Sequence, residues 1–382
     1  IETPIPINGT GDWTTALATI NTTPGHYIVT VSGDSTGLTP GSITSASKVS
    51  LRGTGSLALG STNGSLITVG TSATLILRGP TLKGKTGNNK AVVTVEDSGA
   101  EFIMNAGIIT GNTLGNGDNG GGVTVRDGAE FTMNGGAIRG NHNTSDNSTG
   151  AGGVFVSDAE FTMNGGIISG NTSQPGGGGG GVHVENELTT STKFTMKGGT
   201  IRDNTGSGAG GVYVNHHATT FEMSGGTISG NSAEPIGGGV YAEEGTTFTM
   251  SGGTISGNTS KDIGGGVIIA GTFTMSGGII SGNTVTGLGL GGGVAAAGDA
   301  SFTKNGGIIY GDTDATHTPG STENTATSAA SGSGHAVCVI EVVDKYQDPP
   351  IINVVKYRDA TAGPGDNMDT TDDDSDATEW DG

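Results

Sequence analysis

Cysteine is almost absent: one residue, Cys338, in a chain of 382. No internal disulfide can form, and cysteine usage leaves the redox compartment open. Aromatic residues make up 4% and charged residues 14%. The 76 glycines face only 11 prolines and follow no three-residue period, which excludes a collagen triple helix. So much glycine also excludes a helical bundle, because each Gly costs a helix about 1 kcal/mol relative to Ala. No run of ~18 apolar residues is present, so no membrane-spanning helix is expected. Basic residues are scarce, with 16 Lys and Arg against 36 Asp and Glu, a formal charge of −20. This balance argues against nucleic acid, whose affinity for proteins comes largely from Lys and Arg. It argues equally against an anionic membrane surface. The chain opens at Ile1 without Met or a charged-then-apolar leader, from which a processed, extracellular product is expected.

What is present is a repeat. An eleven-residue block runs FIMNAGIITGN from Phe102, FTMNGGAIRGN from Phe131, FTMNGGIISGN from Phe161 and FTMKGGTIRDN from Phe194. It continues as FEMSGGTISGN from Phe221, FTMSGGTISGN from Phe248, FTMSGGIISGN from Phe273 and FTKNGGIIYGD from Phe302. Successive Phe residues lie 29, 30, 33, 27, 27, 25 and 29 apart, so only the linkers vary. A shorter block, Gly-Gly-Val-x-Val and its variants, precedes most copies. Phe-x-Met and Val-x-Val alternate with period two, as strands with one buried face do. Gly-Gly between Met and Ile reads as a corner.

Three short strands and three corners per repeat define one coil of an all-β, three-sided right-handed parallel β-helix. About ten coils are expected, each too small to fold alone and stabilised by its neighbours. The division reads as an extended arm (1–8), a capping helix (9–25), the solenoid (26–340), and cap strands with an acidic tail (341–382). Within 9–25, Trp13, Leu17 and Ile20 share one helical face. The column Asn112, Asn141, Asn171, Asn204, Asn231, Asn258 and Asn283 predicts an amide ladder at one corner.

The FTMSGGTISGN and GGGVYV repeats, with the leading DWTTALATI and HYIVTVSG segments and the closing YRDATAGPGDNMD, resemble bacterial right-handed β-helix repeat surface proteins of the spirochaete type. The likeness to polymorphic outer-membrane proteins and adhesins is looser. The resemblance implies a solenoid at the cell surface and says little about activity.

Polysaccharide lyases and hydrolases share this architecture but need clustered carboxylates with an Arg, Lys or His beside the scissile bond. No coil here combines several Asp with an Arg, and the outward strand positions carry Thr and Ser, as at Thr132, Thr162, Thr249 and Thr274. A non-enzymatic structural protein is therefore expected, a surface or filament subunit that assembles with itself.

Four further features are singled out. Glu101, Glu130 and Glu160 each precede a Phe and stack on one another, either as solvated carboxylates eased by Lys193 or as a divalent-cation site. The middle residues of successive Val-x-Val strands include Phe155, His183, Tyr213 and Tyr241. They are expected to form an exposed ring stack, serving either stability or contact with a glycan or another subunit. Residues 341–382 hold 12 acids and 3 bases. Among those acids, Asp366, Asp369, Asp372, Asp373, Asp374 and Asp376 are candidate Ca²⁺ ligands. In the arm, Ile1, Thr3, Ile5 and Ile7 share a face, while Pro4 and Pro6 strip donors from one edge. The arm is therefore read either as lying on its own cap or as a strand added to the next molecule.

Overall fold

The computed structural model describes residues 2–310, apart from 116, 118, 146–149, 174–177, 188–190, 288–289 and 299. It also describes residues 324–326, 337–344, 351–358 and 366–369. The chain winds as a parallel β-solenoid of about eleven coils with three sheets. One sheet collects the Phe-x-Met strands together with the Ile-x-Ser strands that follow the Gly-Gly corner. The second collects the Val-x-Val strands, and the third the two-residue strands after each corner Asn.

Register is set by identity. Phe131 lies opposite Phe161 and Met133 opposite Met163, because a one-residue slip would turn every inward side chain to solvent. Phe102, Phe131, Phe161, Phe194, Phe221, Phe248, Phe273 and Phe302 form a column inside the coil. Neighbouring ring centroids are 4.5 to 5.0 Å apart and tilted by no more than 13°. The strand repeat of about 4.8 Å forces this face-to-face stacking. Each buried Phe, Met, Ile or Val contributes about 1.5–3 kcal/mol of transfer free energy.

The second Gly of the corner has no substitute. At Gly166 φ is +89°, and a Cβ there would stand 2.6 Å from the Met133 Cε of the preceding coil. Gly199 and Gly226 repeat both conditions against Met163 and Met196. Glycine thus allows the turn and makes room for the Met column.

The first strand, β1 (Glu2–Ile7), pairs in parallel with β2 (His26–Val31). Between them the helix α1 (Thr10–Thr22) lies across the end of the coil. Trp13, Ala16, Leu17 and Ile20 form its buried face, as the spacing predicts. Asn21 fastens it to the first coil, donating to Ser42 O at 2.8 Å and accepting from Thr44 N–H at 2.9 Å. At the other end, strand Val337–Asp344 adds in parallel to Val294–Ala297 and carries Ile351–Arg358 antiparallel. Strand Asp366–Asp369 pairs antiparallel with Ser301–Lys304.

Candidate functional site

The ring column exists, but it is not exposed. Phe155 and His183 lie edge to face at 5.4 Å, His183 and Tyr213 are 4.7 Å apart, and Tyr213 and Tyr241 stack at 5.2 Å. Phe155 is 3% exposed, His183 0% and Tyr213 6%, and Tyr241 is half-buried. The side chains do point away from the Phe core. The connection entering each Val-x-Val strand then folds back over them. Gly120, Ala151, Gly179 and Ala209 bridge one another along that connection, as do Ile236, Ile263 and Leu290 further on. Tyr241 packs there with Ile236, Ile263, Ile268, Leu290 and Ala295, a second apolar layer outside the first. A glycan or subunit contact through Phe155, His183 or Tyr213 is therefore closed off.

Within this layer sits a polar pair. His183 Nδ1 meets both backbone groups of Gly150, the N–H at 3.1 Å and the carbonyl oxygen at 3.3 Å, so it accepts from one or donates to the other according to its tautomer. Nε2 lies 3.3 Å from Glu185 Oε2, and His216 Nε2 lies 3.8 Å from the same oxygen. His183 Nε2 and both Glu185 carboxyl oxygens are buried without hydrogen-bond partners. Burial pushes the His183 imidazole down to about 3, with nearby His216 adding to the fall. Burial, then the Glu187 carboxylate and Asp158, push Glu185 up to about 8. Burial thus favours the neutral form of both groups. Tyr213 donates to Glu243 Oε1 at 2.6 Å, and burial holds its phenol protonated, reinforced by that carboxylate. A raised carboxyl beside a histidine is a familiar acid–base arrangement, yet here both side chains are sealed from any substrate. Glu185, His216 and Glu243 were not apparent as partners from the sequence, although Glu185 stands two residues after His183 on one strand face.

The amide ladder is present and longer than the spacing predicts. Asn171 Nδ2 donates to Asn204 Oδ1 at 3.0 Å, and the same contact runs through Asn231, Asn258 and Asn283 to Asn324. Asn141 joins it from below at 3.2 Å. Asn112 sends its Nδ2 to Lys90 O and Gly121 O instead, while accepting from Asn88.

Glu101, Glu130 and Glu160 stand in direct register. Lys193 is next in that row, but it pairs with Glu222 of the following coil at 2.8 Å rather than with Glu160. A cleft of about 450 Å³ adjoins Glu130 and Glu160, with Asp127 and Asp158 on its wall. Among the described residues, no three His, Cys, Asp or Glu side chains are placed to hold a metal ion. Asp366 and Asp369 occupy the strand that closes the first sheet. Asp372, Asp373, Asp374 and Asp376 lie outside the described residues, as does Ile1.

The arm is part of its own solenoid. Glu2 through Ile7 register with His26 through Val31, Ile7 is buried, Ile5 half-buried and Thr3 exposed. Ser32 N–H donates to Ile7 O at 3.3 Å, so the odd-numbered residues turn their backbone groups toward β2. Pro4 and Pro6 then face the outer edge, where neither has an N–H to offer. Strand addition to a neighbouring molecule through that edge is the reading this geometry disfavours.

A second site escaped the net charge. Residues 1–90 hold six Lys and Arg and three Asp and Glu, a charge of +3, which leaves −23 for the rest. Lys48, Arg52, Arg78 and His26 line a cleft of about 280 Å³ on the first sheet, with Arg52 directly opposite Arg78. Compared with protein-family models, curated proteins and solved structures, the chain shows no match.

Proposed function

We propose that this protein is a non-enzymatic structural rod of the cell exterior that associates with copies of itself. The observation that carries the reading is the sorting of charge along the solenoid, +3 in residues 1–90 against −11 in residues 91–310. Opposite charge on different stretches of one rod favours ordered contact between copies over random clustering. The repeat supports the same reading, since its recurring Phe, Met, Ile and Asn residues serve the interior and the ladders. Phe155, His183 and Tyr213 are buried, which disfavours adhesion through that part of the ring column. Electron microscopy and sedimentation of the native chain test the proposal. Rods that associate as concentration rises and separate at high salt are expected. Single rods at every concentration and salt would remove self-assembly from the account.

A further inference from the structure

One outward row of the first sheet runs in direct register along the solenoid. Its first eight members are Glu2, His26, Lys48, Thr74, Glu101, Glu130, Glu160 and Lys193, and it runs on through the uncharged Thr220, Thr247, Thr272 and Ser301. Read backwards, these eight set opposite charges together at two of their four correspondences, Glu2 with Lys193 and Lys48 with Glu130. His26 falls against Glu160 at a third, and the Thr74 hydroxyl against Glu101 at the centre. Like charges side by side along a sheet, as at Glu101, Glu130 and Glu160, are unfavourable within one molecule. A partner whose row runs the other way brings Lys48 to Glu130 and relieves them.

We propose that two copies of this chain pair face to face and antiparallel across this row, about a two-fold axis that runs along the strands between Thr74 and Glu101. Such an axis lays every outward row on its own copy. In the neighbouring row Ile76 and Ile103 flank the axis, with Ser50 opposite Thr132 beyond them. Ile76 and Ser50 are already buried within the chain, so this row adds no charge conflict and the contact falls on the long side chains of the row beside it. In the next, Arg78 meets Ala106, its own register neighbour, and Arg52 meets the uncharged 134–136 corner. No like charges meet across these three rows. At the axis a Thr hydroxyl faces a Glu carboxylate, the pairing already made within the chain, where Thr74 Oγ1 donates to Glu101 Oε2 at 3.2 Å.

Lys48, Glu130 and Glu160 are exposed, and the ion pairs of the described residues do not include them. Lys193 is held by Glu222, and Thr74 with Glu101 by their own hydrogen bond. Eight coils at ~4.8 Å and five residues at ~3.3 Å present about 600 Å² per copy. That is below the ~800 Å² of a standard interface, so the pair is reversible and salt-sensitive. The contact is isologous and closes on itself, leaving both rod ends free.

The inference rests on the self-association proposed above and gives it a geometry. It is tested by sedimentation of the native chain, Lys48→Glu, Glu130→Lys and the double variant at low salt, with circular dichroism to confirm the fold. Each contact occurs twice by symmetry, so either single reversal is expected to weaken the dimer roughly tenfold. The double variant, which swaps the pair and keeps it opposite in sign, is expected to restore it. Association unchanged by either single variant, or a double variant no stronger than the singles, overturns this geometry while leaving self-association standing. A native chain that never associates overturns both.

Discussion

Asn204 Nδ2 donates to Asn231 Oδ1 at 2.9 Å, and the same oxygen takes the Asn204 backbone N–H at 3.1 Å. The other Nδ2 hydrogen goes to Ile168 O at 3.0 Å. The Asn204 amide is thus fully committed, with one Nδ2 hydrogen given to the following coil, the other to the preceding coil, and its Oδ1 accepting from Asn171 of the preceding coil.

Replacing Asn204 with Ala would strand the buried Asn171 N–H and one Asn171 Nδ2 hydrogen. At about 1–3 kcal/mol for each orphaned group, a loss of roughly 2–6 kcal/mol is expected, read as a lower denaturation midpoint. Asn204→Asp sets a second oxygen against Ile168 O and Asn231 Oδ1, so its deficit should shrink in acid, where the carboxyl is protonated and can donate. A pH-independent deficit would show that the amide's direction is immaterial.

The His183–Glu185 pair sets a pH profile. His183 falls from its ordinary 6.5 to about 3, so its share of stability is full above 6.5 and is lost as pH drops toward 3. Glu185 rises from 4.5 to about 8, so its share is full below 4.5 and is lost as pH climbs through 8. Between 4.5 and 6.5 the two slopes oppose each other, each at most about 1.4 kcal/mol per pH unit. The native chain should lose stability relative to Glu185→Gln between pH 6.5 and 8. Parallel melting curves over that range would rule the pair out as their cause.

The prolines of β1 predict an aggregation phenotype. Thr at positions 4 and 6 supplies two N–H groups to an open sheet edge. Pro4→Thr/Pro6→Thr should fold as the native chain does, yet form salt-resistant fibres visible by microscopy. A variant whose solubility matches the native protein would show that something other than proline guards that end.

The interior of the fold was legible because identical side chains at fixed offsets can only stack. Phe131, Met133, Ile138 and Asn141 announce their places through repetition alone. The ring column was misjudged for a definite reason. Alternation says that Tyr213 turns away from the Val212 and Val214 side, but not whether a glycine-rich connection lies over it. The arm was half legible: Pro4 and Pro6 fixed which edge lacks donors, while the pairing of the other edge with β2 depended on α1 folding between them. Net charge concealed the Arg52–Arg78 cleft, since a sum over the chain cannot show where the positive residues gather.

The columns also have a mechanical meaning. A pull at one end loads the ladders a coil at a time, because every Phe–Phe and Asn–Asn contact joins only neighbours. Each coil that peels away frees about 27 residues, the spacing from Asn204 to Asn231 and from Asn231 to Asn258. At ~3.4 Å per residue that is about 9 nm of slack. Under tension the rod should therefore yield in regular steps, acting as a ratcheted shock absorber rather than a brittle strut.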